Sequence, residues 1–395
     1  MKDRTRLNHP PEITVPSDNR PLTAPIYQNV KFEYPTVAET LRGLRGEREG
    51  FYYSRISNPT TRQLELTLAA MQGREDAVVC ASGVGAIAQS LLGLLQQGDH
   101  VLCFAETYGP TRALITRTLA RYGVTHTMLS IEDEAGIERV LAGTPTKLVV
   151  FESPTNPVTK IADIARLTRA ARAHGALTML DNTFAGPHQH GRYDIDLFVH
   201  SLTKFVSGHG DVMGGAAIGS AALIGKLRAD FVLLGGTLDP HAAFLLQRGL
   251  KTYYLRYAAQ CETAQRVAEF LAAQPSVARV HYPGLPTHPR HALAREQMQD
   301  MGAVVSFDLA AGAAAGDRLA DALQLFSITS SLGSTESLVI PPGLMSTTDL
   351  PAALRATCGI APGTVRLSIG LDEADDLIGD LRQALEAAQR EPRSP

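Results

Sequence analysis

Four groups of residues in this chain stand where chemistry is usually found, each just after a short apolar run. The run "DIDLFVHS" leads to Lys204, set between Leu202 and Phe205 in strand-like surroundings, with the hydroxyls of Ser201 and Thr203 beside it. Lysine is rarely buried unless paired or modified. Partial desolvation lowers its pKa and leaves an amine able to form a Schiff base; a lysine at the surface end of a strand is the plainer reading. "LTML" leads to Asp181 in "DNTF", where a carboxylate among apolar neighbours needs a cationic partner or serves as a helix cap. "HVLCFAET" leads to Tyr108, an aromatic that either covers a core edge or faces a ligand. "DAVVC" leads to "ASGVGA", small residues opening a helix whose free N–H groups and positive dipole end can hold an anion. That stretch is neither a Walker loop nor a full GxGxxG, and a tight strand-helix turn would look the same.

Taken together, the four fit one ligand. Pyridoxal phosphate (PLP) needs an amine, an acid facing its pyridine nitrogen, an aromatic against its ring, and a phosphate cup of N–H and hydroxyl groups. The chain offers each of these once. The glycines that follow Lys204 in "SGHGDVMGG" are then expected to let the backbone run close to the cofactor.

The elements that must position these residues alternate. Short apolar runs such as "HVLCFAE" and "KLVVFESPTNP" precede amphipathic stretches such as "PTRALITRTLARYG" and "DIARLTRAARAHG". This order implies βαβ units and a mostly parallel sheet covered on both faces. Ligands collect outside the carboxyl ends of such strands, where the four groups lie. Residues 1–60 are proline-rich with little periodicity, predicting an extended arm that packs on a neighbouring subunit. A helix is predicted from "TTRQLELTLAAMQG", its threonines capping the start and Gly73 closing the end. Residues 61–250 are read as the α/β domain. Residues 251–395, with segregated strands and helices, are read as a smaller α+β domain, ending in a frayed "REPRSP".

Composition narrows the function classes. At 395 residues the chain exceeds the ~250–300 at which a single core stops growing. With 37 Lys+Arg against 40 Asp+Glu and no basic block, nucleic acid is not indicated. No stretch reaches about 18 consecutive apolar residues and no export signal is visible, so a membrane is not indicated either. Cys80, Cys103, Cys261 and Cys358 lie far apart, without a CxxC pair, which suits a reducing cytoplasm. The histidines show no HExxH or paired Cys/His pattern, so no metal site is read, and His188 and His190 are taken as loop residues.

With these residues in place, the chain resembles the trans-sulfuration, or Cys/Met-metabolism, family of PLP enzymes over residues 20 to 385. The resemblance rests on "YYSRISNPT", "ASGVGA", "ETYGPT", "ESPTNP", "DNTF", "HSLTKF", "SSLGSTESL" and "VRLSIGLD". It implies a fold-type I (aspartate aminotransferase-like) α/β architecture and a homodimer or homotetramer with shared sites. In that arrangement Tyr53 and Arg55 reach the phosphate of the neighbouring subunit's cofactor, joined there by the amides of Gly83 and Val84 and the hydroxyls of Ser201 and Thr203. Tyr108 lies over the ring, Asp181 faces the pyridine nitrogen and Lys204 supplies the amine. Asn156, Ser331 and Arg366 bind the amino-acid substrate, Arg366 gripping its α-carboxylate.

The implied reaction is a PLP-dependent β- or γ-elimination on a cystathionine-like or other γ-substituted amino acid, giving a 2-oxo acid, ammonia and a thiol. Lys204 moves the Cα proton, and Tyr108, activated by nearby cationic groups, serves the leaving sulfur. The alternative is γ-replacement, as in cystathionine γ-synthases and homoserine-ester sulfhydrylases. A γ-lyase for a non-sulfur substrate and a non-catalytic PLP-binding protein are more distant readings. Three positions depart from the family pattern. Ser330 stands where cystathionine γ-synthases and γ-lyases carry glutamate, Pro110 where methionine γ-lyases carry cysteine, and Thr347 where histidine is usual. These departures predict a distinctive substrate, a homoserine derivative or a longer thioether.

Overall fold

The computed structural model describes residues 18–19, 21–345 and 350–389. Thr347 and the tail "REPRSP" lie outside the described residues.

Strands β1 (Asp76–Cys80), β2 (His100–Phe104), β3 (Thr125–Leu129), β4 (Leu148–Glu152), β5 (Leu177–Asp181), β6 (Leu197–Ser201) and β7 (Gly215–Gly219) form one sheet. Its order is β1-β7-β6-β5-β4-β2-β3. β7 runs antiparallel to both neighbours, and the remaining pairs are parallel. Alternation within each strand sends side chains to two separate cores. Val101, Cys103, Val150, Met179 and Val199 pack with Ile87, Leu91 and Leu227 from two helices on one face. Leu102, Phe104, Val149, Phe151, Leu180 and Phe198 pack with Leu64, Leu68, Leu167 and Leu246 on the other. A sheet buried on both faces must be nearly continuous in apolar residues, which is why its strands read as runs. Burial of Phe151 alone contributes about 2–3 kcal/mol.

The helix Pro59–Gln72 begins just before its threonines, Thr60 and Thr61, which lie inside its first turn. Asn58 is the cap, its side chain accepting from the Thr60 N–H at 2.9 Å, and Pro59 occupies the first position, where its missing N–H loses nothing. Gly73 closes the helix in the left-handed conformation.

A second sheet is built from β8 (Val277–His281), β9 (Val304–Leu309), β10 (Ser327–Ile328), β11 (Leu338–Ile340) and β12 (Thr364–Ser368), in the order β10-β11-β12-β9-β8. One face packs on the helices Tyr253–Ala272 and Ala374–Gln389 through Ala264, Val267, Leu271, Leu377 and Leu381. The N-terminal helix Val37–Leu44 buries none of its residues in the chain, and Val37, Leu41 and Leu44 are exposed. Among the described residues no helix is long and apolar enough to cross a membrane.

Candidate active site

β1, β2, β4, β5 and β6 all point their carboxyl ends to one side of the large sheet, because β1 and β6 are each antiparallel to the β7 between them. The second sheet faces that side, and a cavity of about 500 Å³ lies between. Gly83, Val84, Tyr108, Asn156, Asp181, Ser201, Thr203, Lys204, Ser331 and Arg366 line it together. Tyr53 and Arg55 do not: they line a separate surface cleft, where Arg55 donates to the Val232 carbonyl at 3.2 Å.

Tight packing builds the end of the cavity at the start of the Gly83–Leu94 helix. The helix Gly83–Leu94 starts at Ser82, whose hydroxyl accepts from the Gly85 N–H at 3.0 Å. The N–H groups of Gly83 and Val84 precede the first intrahelical bond and face the cavity end of the helix dipole. A Cβ on Gly83 would lie 2.6 Å from Ser201 Cβ, so only glycine lets the helix start sit against the end of β6.

β6 stops at Ser201, and Lys204 stands in the turn beyond it, not within a strand. Its half-buried amine donates to Ser331 Oγ at 2.6 Å. Burial, and secondarily the charge of Arg366, pushes the Lys204 amine below its usual range. The glycines after it are not among the residues lining the cavity. A Cβ on Gly208 would strike the Arg256 guanidinium at 1.7 Å, and one on Gly215 would strike the Ser82 carbonyl at 2.0 Å. At Gly208 and Gly215 the space is taken by the chain itself, which differs from the expectation that these glycines make room for a cofactor.

Asp181 ends β5 and accepts from the Thr183 hydroxyl at 2.6 Å and its N–H at 3.1 Å. Burial raises its carboxyl, the Thr183 bonds opposing. Among the described residues no cation pairs with it. A carboxylate so placed fits a protonated ring nitrogen, as the free N–H groups of Gly83 and Val84 fit a phosphate and the Lys204 amine a carbonyl carbon. The residues present therefore suit PLP.

Glu152, absent from the sequence-based candidates, also lines the cavity. It ends β4 in "LVVFE" just as Asp181 ends β5 in "LTMLD", so the same signal was present. It accepts from the Tyr108 N–H at 2.9 Å. Tyr108 itself is held above the usual phenol range by burial, then by Asp181 and Glu152, against the pull of Arg366. Within the chain, burial and the two carboxyl groups thus outweigh the pull of Arg366 on this phenol.

At the opposite wall Arg366 projects from β12. It donates through Nη1 to Asn156 Oδ1 at 2.9 Å and through Nη2 to the Ser331 carbonyl at 2.6 Å. Its Nε is buried and has no partner among the described residues. Burial pushes its guanidinium down to about 10, opposed by Glu152 and Tyr108, so it remains charged at neutral pH. Ser331 bonds both Lys204 and Arg366 from a φ of +89°, a conformation rarely taken by residues other than glycine. Pro110, Ser330, Leu344, Met345, Cys358 and Ile360 complete the wall. His188 and His190 lie in the irregular segment after β5 but are tied: His188 bonds Tyr253 and Asp300, and His190 bonds Asn182 Oδ1 at 2.7 Å.

Comparison with known proteins agrees with this chemistry. A family model described as "Cys/Met metabolism PLP-dependent enzyme" matches residues 12–386. An L-methionine gamma-lyase of Pseudomonas putida is 43% identical over 372 residues, covering 93% of each chain. Cystathionine gamma-synthase 1 of Arabidopsis thaliana is 38% identical over 93% of this chain and 65% of its own. The crystal structure of cystathionine gamma synthase from Xanthomonas oryzae pv. oryzae, in complex with aminoacrylate and cysteine, superposes with a TM-score of 0.87. It is 36% identical, with 93% of this chain and 94% of that one covered. The chain is an enzyme of the PLP-dependent Cys/Met-metabolism family.

Proposed function

We propose that this enzyme is a carbon–sulfur lyase that cleaves the Cγ–S bond of an amino acid with an uncharged γ-thioether, giving 2-oxobutanoate, ammonia and a thiol. The observation that carries the reading is the character of the second wall. Of the described cavity-lining residues from Ser330 onward, only Arg366 is charged; Leu332, Ile340, Leu344, Met345, Cys358 and Ile360 are apolar. Arg366 suits the α-carboxylate, and the rest suits an alkylthio group with no distal ammonium. The carboxylate of Glu106, on the other wall, is already engaged by Ser130, Ile131 and Lys160. The methionine gamma-lyases among the relatives support the same substrate class.

Bound in this cavity, PLP supplies a carbonyl carbon that amines add to and a ring that withdraws electrons from the substrate carbon. Asp181 would hold the ring nitrogen, Gly83, Val84, Ser201 and Thr203 would hold the phosphate, and Tyr108 would cover the ring. The lowered pKa of Lys204 raises the fraction of free amine near neutral pH, so it can accept the Cα proton. Ser331 Oγ, 2.6 Å from Nζ, keeps that amine aimed along the Arg366 side of the cavity. Tyr108, retaining its proton, donates to the departing sulfur.

The site is completed by a second copy of the chain, whose Tyr53 and Arg55 approach the phosphate. The unpartnered helix Val37–Leu44 and the position of Arg55 outside its own chain's cavity support this. A homodimer or homotetramer in the cytoplasm fits the arm and the buried thiols of Cys80, Cys103 and Cys261, none of them in a disulfide among the described residues.

The test is to give the PLP-loaded protein L-methionine, L-cystathionine, and O-acetyl-L-homoserine with a thiol, and to identify products by mass spectrometry. Expected are 2-oxobutanoate and methanethiol from methionine, with cystathionine the poorer substrate. Pyruvate from cystathionine with methionine untouched would replace the reading with β-elimination. A new thioether without 2-oxo acid would replace it with γ-replacement, the second reading, which the similarity to cystathionine gamma synthase favours.

A further inference from the structure

Three members of one cross-strand row of the second sheet hold the segment Asn156–Thr159, which is also tied through the Asn156 backbone to Glu152 and through the Thr159 N–H to the Thr155 carbonyl at 2.9 Å. On β8, β9 and β12, His281, Ser306 and Arg366 are direct partners in register. Each of the three makes one contact with the segment. Arg366 Nη1 donates to Asn156 Oδ1 at 2.9 Å, Ser306 Oγ donates to the Pro157 carbonyl at 2.7 Å, and the His281 carbonyl accepts from Thr159 Oγ1 at 3.2 Å. Thr159 sits at a φ of +47°, a left-handed conformation unfavourable for a β-branched residue. Ser306 is fully buried and does not line the cavity. A buried hydroxyl that bonds a loop carbonyl beside a substrate-facing residue fixes that residue's place.

We propose that Ser306 is a positioning residue for substrate carboxylate recognition. By holding the Pro157 carbonyl it sets Asn156, and Asn156 in turn orients the Arg366 guanidinium, whose Nε has no partner among the described residues. The proposal rests on the reading of Arg366 as the carboxylate grip. Because Ser306 and Arg366 are neighbours in the same sheet row, the distance between grip and strap is set by strand pairing and does not depend on the loop.

The test compares two competitive ligands of the PLP-loaded enzyme, L-norleucine and n-pentylamine, which differ by the carboxylate. Ser306→Ala is expected to weaken L-norleucine about fivefold to tenfold, the range for one lost hydrogen bond, and to leave n-pentylamine within about twofold. KM for the substrate should rise more than kcat falls, and Ser306→Thr, which keeps the hydroxyl, should restore L-norleucine binding. Thr159→Val removes the neighbouring strap and should give the same selective loss, which keeps the test intact if Ser306→Ala does not yield folded enzyme. Equal weakening of both ligands, or no weakening of either, overturns the role of Ser306. Arg366→Gln separates the two ideas. If it abolishes the preference for L-norleucine while Ser306→Ala and Thr159→Val do not, the grip stands and the positioning proposal falls. If Arg366→Gln leaves the preference intact, the grip itself is wrong.

Discussion

Glu152 and Asp181 are direct register partners at the carboxyl ends of the adjacent parallel strands β4 and β5. Two carboxyl groups thus stand side by side at the cavity floor, Glu152 buried and Asp181 half-buried. Burial, and then the charge of Asp181, pushes Glu152 well above the ordinary carboxylate range. Like charges so close cannot both be held ionised at low cost. Burial raises both: Asp181 is served by the Thr183 hydroxyl and N–H, which favour its charge, and Glu152, although it accepts from the Tyr108 N–H, is the one pushed well above its ordinary range.

Glu152→Gln should therefore stabilise the cofactor-free protein at neutral pH. A carboxyl whose folded-state pKa is raised holds a proton that the unfolded chain releases, so stability falls as pH rises above the ordinary value of 4.5. Glutamine keeps an oxygen for the Tyr108 N–H and cannot ionise. Thermal unfolding from pH 4 to pH 8 should show the two proteins alike at the acid end and the variant higher above it. Coincident curves at pH 8 would contradict the assignment.

Lys204→Ala should retain PLP without a covalent bond and lose turnover by about 10²–10⁴-fold or more, the usual contribution of a positioned proton-transfer group. Borohydride reduction followed by peptide mass spectrometry should mark Lys204 in the parent enzyme and no residue in the variant. A rate like the parent's would sink the mechanism.

Asp181→Asn should depress kcat far more than it weakens PLP retention, since the amide keeps a contact at the ring nitrogen but cannot hold its proton. Rate and cofactor affinity are measured on the same preparation. Proportional losses would mean that Asp181 serves only to bind.

Arg55→Ala should weaken PLP retention by about tenfold or more, the scale of a charge-assisted hydrogen bond, although Arg55 lies outside the cavity of its own chain. Equilibrium dialysis gives the affinity. Mixing this variant with Lys204→Ala should recover some activity, because a mixed dimer holds one intact site. Unchanged affinity would count against a site shared between copies.

Much of the site was legible because its residue types are costly where they stand. A lysine and an aspartate set in apolar runs at Lys204 and Asp181 each called for a partner before any contact was known, and Arg366 followed from the family resemblance. Glu152 carried the same signal and was passed over. The glycines after Lys204 were misassigned because a glycine records only that space is short. Whether a ligand or another stretch of chain takes that space depends on what folds against it, here Arg256 and Ser82.

The order of apolar runs and amphipathic stretches by itself determined the α/β class and placed the candidate groups after strands, since those patterns follow from local geometry and burial. Only the tertiary structure decided which ends meet. The antiparallel insertion of β7 brings the Gly83 helix beside Ser201. The register of β4 on β5 pairs Glu152 with Asp181, and the row His281–Ser306–Arg366 settles where Asn156 stands. Strand order and register depend on contacts between residues far apart in the chain, and no local pattern encodes them.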